Sequence, residues 1–182
     1  MRIYNLFFSL FSLFSVIVTL NSALALQSAN CNTAMEPSTP DSNFTDHGDG
    51  TVTDNSTGLM WKKCLEGLSG TGCSGTVLTF SWATALQQPA LESDTTYTDW
   101  RLPNIKELHS IIEESCHTPA INTDIFPGIP SESVVWSSSP YAGVDTQSWN
   151  IDFSSGDMDM SPTTNDRTIS TYHVRLVRDV TN

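Results

Sequence analysis

The sequence predicts an α+β fold in a single domain, and three observations carry that prediction. Ile105, Leu108, Ile111 and Ile112 recur at the i, i+3, i+6, i+7 spacing of one buried helical face. Short β-prone runs alternate elsewhere with Gly, Asn, Ser and Pro turn chemistry. The length of 182 residues suits one ordinary domain better than two.

The N-terminal 25 residues read as a secretory signal. Arg2 supplies a positive start, Leu6 to Leu20 is an uncharged apolar run, and Ala23-Leu24-Ala25 is an A-x-A cleavage site. The run is shorter than the ~20 residues a spanning helix needs. No later segment is apolar enough to span either, so the expected product is soluble and secreted or periplasmic. Residues 26–43 are rich in Pro, Ser, Thr and Asn and are expected as a polar leader, with the folded domain over 44–180.

Within the domain, Gly50–Asp54 and Leu59–Lys62 flank Asn55-Ser56-Thr57-Gly58, which spells a hairpin. Ser81 is expected to cap a helix from Trp82, with Ala85 and Leu86 on one face and Pro89 near its end. A second helix is expected from Pro103 at its first position. Lys106, Glu107, His109, Glu113 and Glu114 fall largely off its apolar face. Strands are expected at Val134–Ser138, Ser148–Phe153 and Tyr172–Arg178, the last with Tyr172, Val174 and Leu176 alternating with His173, Arg175 and Val177.

Charge narrows the partners. Twenty acidic residues face eight basic ones, a net charge of −12. Without Arg2 the balance is 7 basic against 20 acidic, or −13. Nucleic acid and anionic lipid select basic patches, so both are excluded as expected partners. The main exposed cations are expected to be Lys62, Lys63, Lys106 and Arg167, with Arg101 held inside. Five Trp, four Tyr and eight Phe supply material for a packed core, which separates the chain from a disordered acidic tail.

Cys31, Cys64, Cys73 and Cys116 form an even set, and export makes disulfides the expected state. Four cysteines allow three pairings. The chosen one is Cys64–Cys73 with Cys31–Cys116, because glycines at 67, 70, 72 and 75 let the short loop close. A zinc site is not expected: C-x₂-C spacing is absent and the four histidines are scattered.

Several of these segments together resemble one family. Gly50-Thr-Val-Thr-Asp-Asn-Ser-Thr-Gly-Leu-Met-Trp61 and Asp99-Trp-Arg-Leu-Pro-Asn-Ile-Lys-Glu-Leu108 resemble the opening and central motifs of the DUF1566, or Lcl C-terminal, domain. Trp136-Ser-Ser-Ser, Trp149-Asn-Ile-Asp-Phe153 and Val174-Arg-Leu-Val-Arg178 resemble its closing strands. The resemblance implies a C-type-lectin-like fold with two helices and a twisted, irregular sheet, and it supports the disulfide pairing chosen above. Arg101-Leu-Pro-x-x-x-Glu107 also resembles a segment of formylglycine-generating enzymes, which share that fold. Those enzymes use a cysteine pair near the C-terminus, whereas the last cysteine here is Cys116.

Candidate site residues follow from chemistry and from the resemblance. Asp46, Asp49 and Asp54 could hold calcium, although their spacing is not that of a calcium loop and turn bonding is the favoured role. The sugar-binding tripeptides of C-type lectins do not occur. Trp149-Asn150-Ile151-Asp152 is a loose echo of one, with Asn150 and Asp152 expected on the exposed face and Trp149 in the core. Tyr141 is the candidate exposed aromatic at a binding surface. Trp61, Trp100, Trp136 and Trp149 are expected to be structural, as is a buried Arg101–Glu107 pair. No G-x-S-x-G or H-E-x-x-H motif occurs. The expected function is a non-catalytic, exported binding or adhesion module with no required cofactor. The family's namesake domain is associated with glycosaminoglycan adhesion, but the charge here points to a neutral glycan or a protein. The alternative is an extracellular enzyme with a carboxylate-based site.

Overall fold

The computed structural model describes residues 30–92, 96–159 and 168–180. The signal, residues 26–29 of the leader and Arg167 therefore lie outside the described residues. The hairpin spelled by the sequence forms as β2 (Thr51–Asp54) and β3 (Leu59–Lys62), with Val52 opposite Trp61 and Asp54 opposite Leu59. Its turn is held by Asp54, which accepts from the Ser56 amide at 2.9 Å and from the hydroxyls of Ser56 and Thr57 at 2.5 and 2.7 Å. The short β1 (Phe44–Asp46) pairs with β2.

A two-stranded ribbon follows, β4 (Leu68–Ser69) and β5 (Ser74–Gly75), closed by the Cys64–Cys73 disulfide. Three short α-helices occur among the described residues, α1 (Trp82–Ala85), α2 (Gln88–Leu91) and α3 (Ile105–His109), besides a 3-10 turn at Asp41–Asn43. The antiparallel sheet of β6 (Val134–Pro140), β7 (Ser148–Asp152) and β8 (Asp157–Asp159) comes next. Last in the chain, β9 (Val177–Asp179) returns to pair with β3 and completes the sheet β1-β2-β3-β9. The fold is α+β, with antiparallel sheets and two disulfides.

Period-two alternation gives the first sheet two apolar faces. Val52, Trp61 and Val177 lie side by side and join Leu65, Leu108, Ile111, Phe126, Ile151 and Phe153 in one core. Met60, on the other face, joins Ala85, Trp100, Leu102, Trp136, Val174 and Leu176 in a second. The segment 174–178 runs between these cores, so each of its residues is at most 8% exposed. That explains why the expected strand over Tyr172–Arg178 does not alternate. Regular pairing is confined to β9, with single bridges from Tyr172 to Phe80 and from His173 to Val135.

The helices differ from expectation at their ends. Ser81 does cap α1, but Leu86 is 41% exposed, and Pro89 lies in the first turn of α2 instead of ending α1. Pro103 precedes α3, whose N-cap is Asn104. The Asn104 side chain accepts from the amides of Lys106 and Glu107, and Glu107 accepts from the Asn104 amide, a reciprocal capping box. The helix ends at His109, yet Ile111 and Ile112 continue the buried stripe.

Glu113, expected off the apolar face, is 2% exposed. Its carboxylate accepts from the amides of Ser38, Thr39 and Ser115 and from the hydroxyls of Thr39 and Ser115, at 2.6–3.0 Å. Burial alone would push this carboxyl up, but the hydrogen bonds from Ser115, Thr39 and Ser38 hold it at about 2. The described part of the polar leader is thereby bound to the domain. Cys31–Cys116 and the Asn32 amide on the Ser115 carbonyl fasten it further, and Asn122 donates to the Thr39 carbonyl and to Asp41.

Candidate functional site

The carboxylates proposed for calcium are each engaged in their own loop. Asp46 accepts from the Gly48 amide at 2.9 Å and from Lys63 Nζ at 2.5 Å, and Lys63 holds its carboxyl below the usual range. Asp49 accepts from the amide and hydroxyl of Thr51 at 2.9 and 2.6 Å. Asp54 belongs to the hairpin turn. Among the described residues, no three His, Cys, Asp or Glu side chains are grouped to hold a metal ion.

The second candidate set is rearranged relative to expectation. Asn150 is fully buried, paired opposite Trp136 in the sheet, while Trp149 is half-buried. The cause is that β7 is the central strand of its sheet and is covered on both faces, so simple in–out alternation does not apply. Asp152 accepts from the Ser154 amide at 2.8 Å and fixes the turn into β8. Tyr141 is half-buried and packs edge-on against Trp149 with ring centroids 5.8 Å apart. A Cβ on Gly143 would lie 2.6 Å from the Tyr141 ring, so the loop backbone covers that ring closely. Tyr141 therefore latches its own loop. Trp61, Trp100 and Trp136 are core residues, at most 5% exposed.

Arg101 and Glu107 form the expected bidentate pair at 2.7 and 2.9 Å, with a third contact from Arg101 to Asp179 at 3.0 Å. The Arg101 side chain is 35% exposed, so the pair is half-buried and not sealed as expected. Arg101→Ala is accordingly expected to lower stability by about 1–2 kcal/mol, less than a fully buried pair would. Urea denaturation checks this, and Asp179→Ala should have the smaller effect of the two.

The fully enclosed cation is instead Arg175. It donates to the carbonyls of Lys62 and Lys63 and lies 4.8 Å from the Phe126 ring centroid. Burial lowers its pKa to about 9. Arg178 grips Asp99 through Nε at 2.6 Å and lies over Tyr97. Lys63 is 8% exposed and holds Asp46, so it is not the exposed cation expected of it. Lys62 is also engaged: its ammonium contacts Glu92, lies 3.9 Å from Glu66, and is 5.7 Å from the Trp100 ring.

That last cluster lies in a cleft of about 390 Å³. The mouth of the β2–β3 hairpin supplies Asp49 and Lys62, the disulfide loop supplies Leu65, Glu66, Leu68 and Ser69, and Glu92 follows α2. Burial raises the Glu66 carboxyl, with the Lys62 ammonium opposing the shift. Sequence reading missed this group because Lys62, Glu66 and Glu92 come from three segments that only the tertiary fold brings together.

These features define a disulfide-stapled α+β domain with a concave, hydrogen-bonding site. The family description "Lcl C-terminal domain" matches residues 50–178, and the chain belongs to that family. A comparison with curated proteins found no match.

Proposed function

We propose that the chain is an exported, non-catalytic binding module with the C-type-lectin-like fold, and that its ligand is a neutral, hydroxyl-rich glycan, with a protein as the second choice. The observation that carries the ligand class is the engagement of five of its cations; Lys106, on α3, is exposed. Lys62, Lys63, Arg101, Arg175 and Arg178 are all held by carboxylates or carbonyls of the same chain. A polyanion needs several cations converging on one face. An acceptor-rich surface favours donors such as sugar hydroxyls. Support for the fold comes from the first sheet, where the N-terminal hairpin pairs with the last strand around flanking short helices.

The purified domain is expected to pass unretained through a heparin column at ~0.15 M salt, where the Debye length is ~8 Å. Retention reversed by added salt would restore a glycosaminoglycan-binding role. The enzyme alternative has one observation in its favour, the raised carboxyl of Glu66 inside a cleft. Glycan hydrolysis that disappears in Glu66→Gln would support that alternative against the binding role.

A further inference from the structure

We infer that the Lys62–Glu66–Glu92 cleft is the saccharide site, taking the hydroxyl-bearing edge of an uncharged sugar one or two residues long; this inference rests on the binding role proposed above. A space of about 390 Å³ falls within the range of small-ligand sites. Its lining has the mixed character such sites use, with charged groups to orient the ligand and apolar side chains to contact it. The carboxylates of Glu66 and Glu92 accept from neighbouring hydroxyls, the Lys62 ammonium donates to a sugar oxygen, and the partly exposed Leu68 faces the ring's C–H surface.

The charge arrangement selects against other ligands. Lys62 already occupies the position between Glu66 and Glu92 that a cation would take. With Asp49 the lining carries three carboxylates and one ammonium, which repels sulfate and phosphate. A neutral ligand with many donors remains. The site is also preorganised. The Lys62, Glu66 and Glu92 side chains are only 21%, 19% and 18% exposed and hold one another in place. The amides of Lys62 and Glu66 are fastened to the Leu176 and Val174 carbonyls at 3.0 Å each. The disulfide closes the loop between them and the cleft wall, and Gly67 admits an approach that a side chain would block, since its Cβ would meet the Thr76 carbonyl at 2.4 Å.

The test is amide chemical-shift mapping of the ¹⁵N-labelled domain with millimolar glucose, galactose, mannose, N-acetylglucosamine and cellobiose, each added separately. At least one sugar is expected to shift amides clustered at 49–51, 62–70 and 92. Lys62→Met and Glu92→Gln are each expected to weaken that sugar about tenfold or more while the melting temperature stays near wild type. Should Lys62→Met fail to fold, Glu92→Gln decides the matter. Shifts clustered instead at Tyr141 and Trp149, or cleft shifts unaffected by the folded variants, overturn this inference and leave the binding role standing. No response to any sugar here overturns this inference, and no glycan bound on an array as well overturns the glycan ligand proposed above.

Discussion

Glu113→Ala is expected to destabilise the domain by about 3–5 kcal/mol, because it strips the acceptor from several buried donors at once. The three amides and two hydroxyls that converge on this carboxylate come from the N-terminal segment and from Ser115, so its loss frees that segment as well as unpairing the donors. The pH dependence has a definite sign. The folded-state pKa of about 2 lies below the ordinary value of 4.5. The carboxylate's contribution is therefore complete above pH ~4.5 and is lost as pH falls through ~2, and it amounts to about 3 kcal/mol. Urea midpoints measured at neutral pH and at steps down to about pH 2 should show wild type losing stability faster than Glu113→Gln. Parallel curves for the two proteins would show that Glu113 is not the buried anchor described.

The second large effect is expected from Cys31→Ser with Cys116→Ser. The two residues are 85 apart in sequence. In the chain-entropy model, a loop of that length stabilises by roughly 4.5 kcal/mol. The bridge and the Glu113 carboxylate fasten the same stretch of chain, so their losses should fall short of additive when combined. A double-mutant cycle on denaturation midpoints measures that coupling. Full additivity would mean that the two attachments act independently.

How much of this was legible beforehand depends on where each determinant resides. The β2–β3 hairpin was readable because turn chemistry and strand propensity sit together in twelve consecutive residues, Gly50 to Trp61. The α3 start lies two residues later than the sequence reading places it, although its signal is present: Asn104 followed three positions later by Glu107 is a capping-box spelling, and Pro103, expected at the first helical position, precedes the N-cap. The pairing of Arg101 with Glu107 was legible, but its exposure was not, because burial depends on what packs over the pair. Arg175 had no local signal, since alternation in Tyr172–Arg178 presumes one wet face and the segment lies between two cores. Asn150 was misjudged for the same reason. The cleft was the least legible feature, being assembled from the hairpin mouth, the disulfide loop and the end of α2. Charge is the sequence feature behind the proposed ligand class, and Lys62 and Lys63, expected to be exposed, are engaged by carboxylates in the fold.

The most direct test of the central claim is a glycan array probed with the purified domain at ~0.15 M salt, carrying neutral and sulfated glycans side by side. The account expects signal on one or more neutral glycans, insensitive to moderate added salt, and none on the sulfated set. Signal confined to sulfated glycans and erased by salt would contradict it.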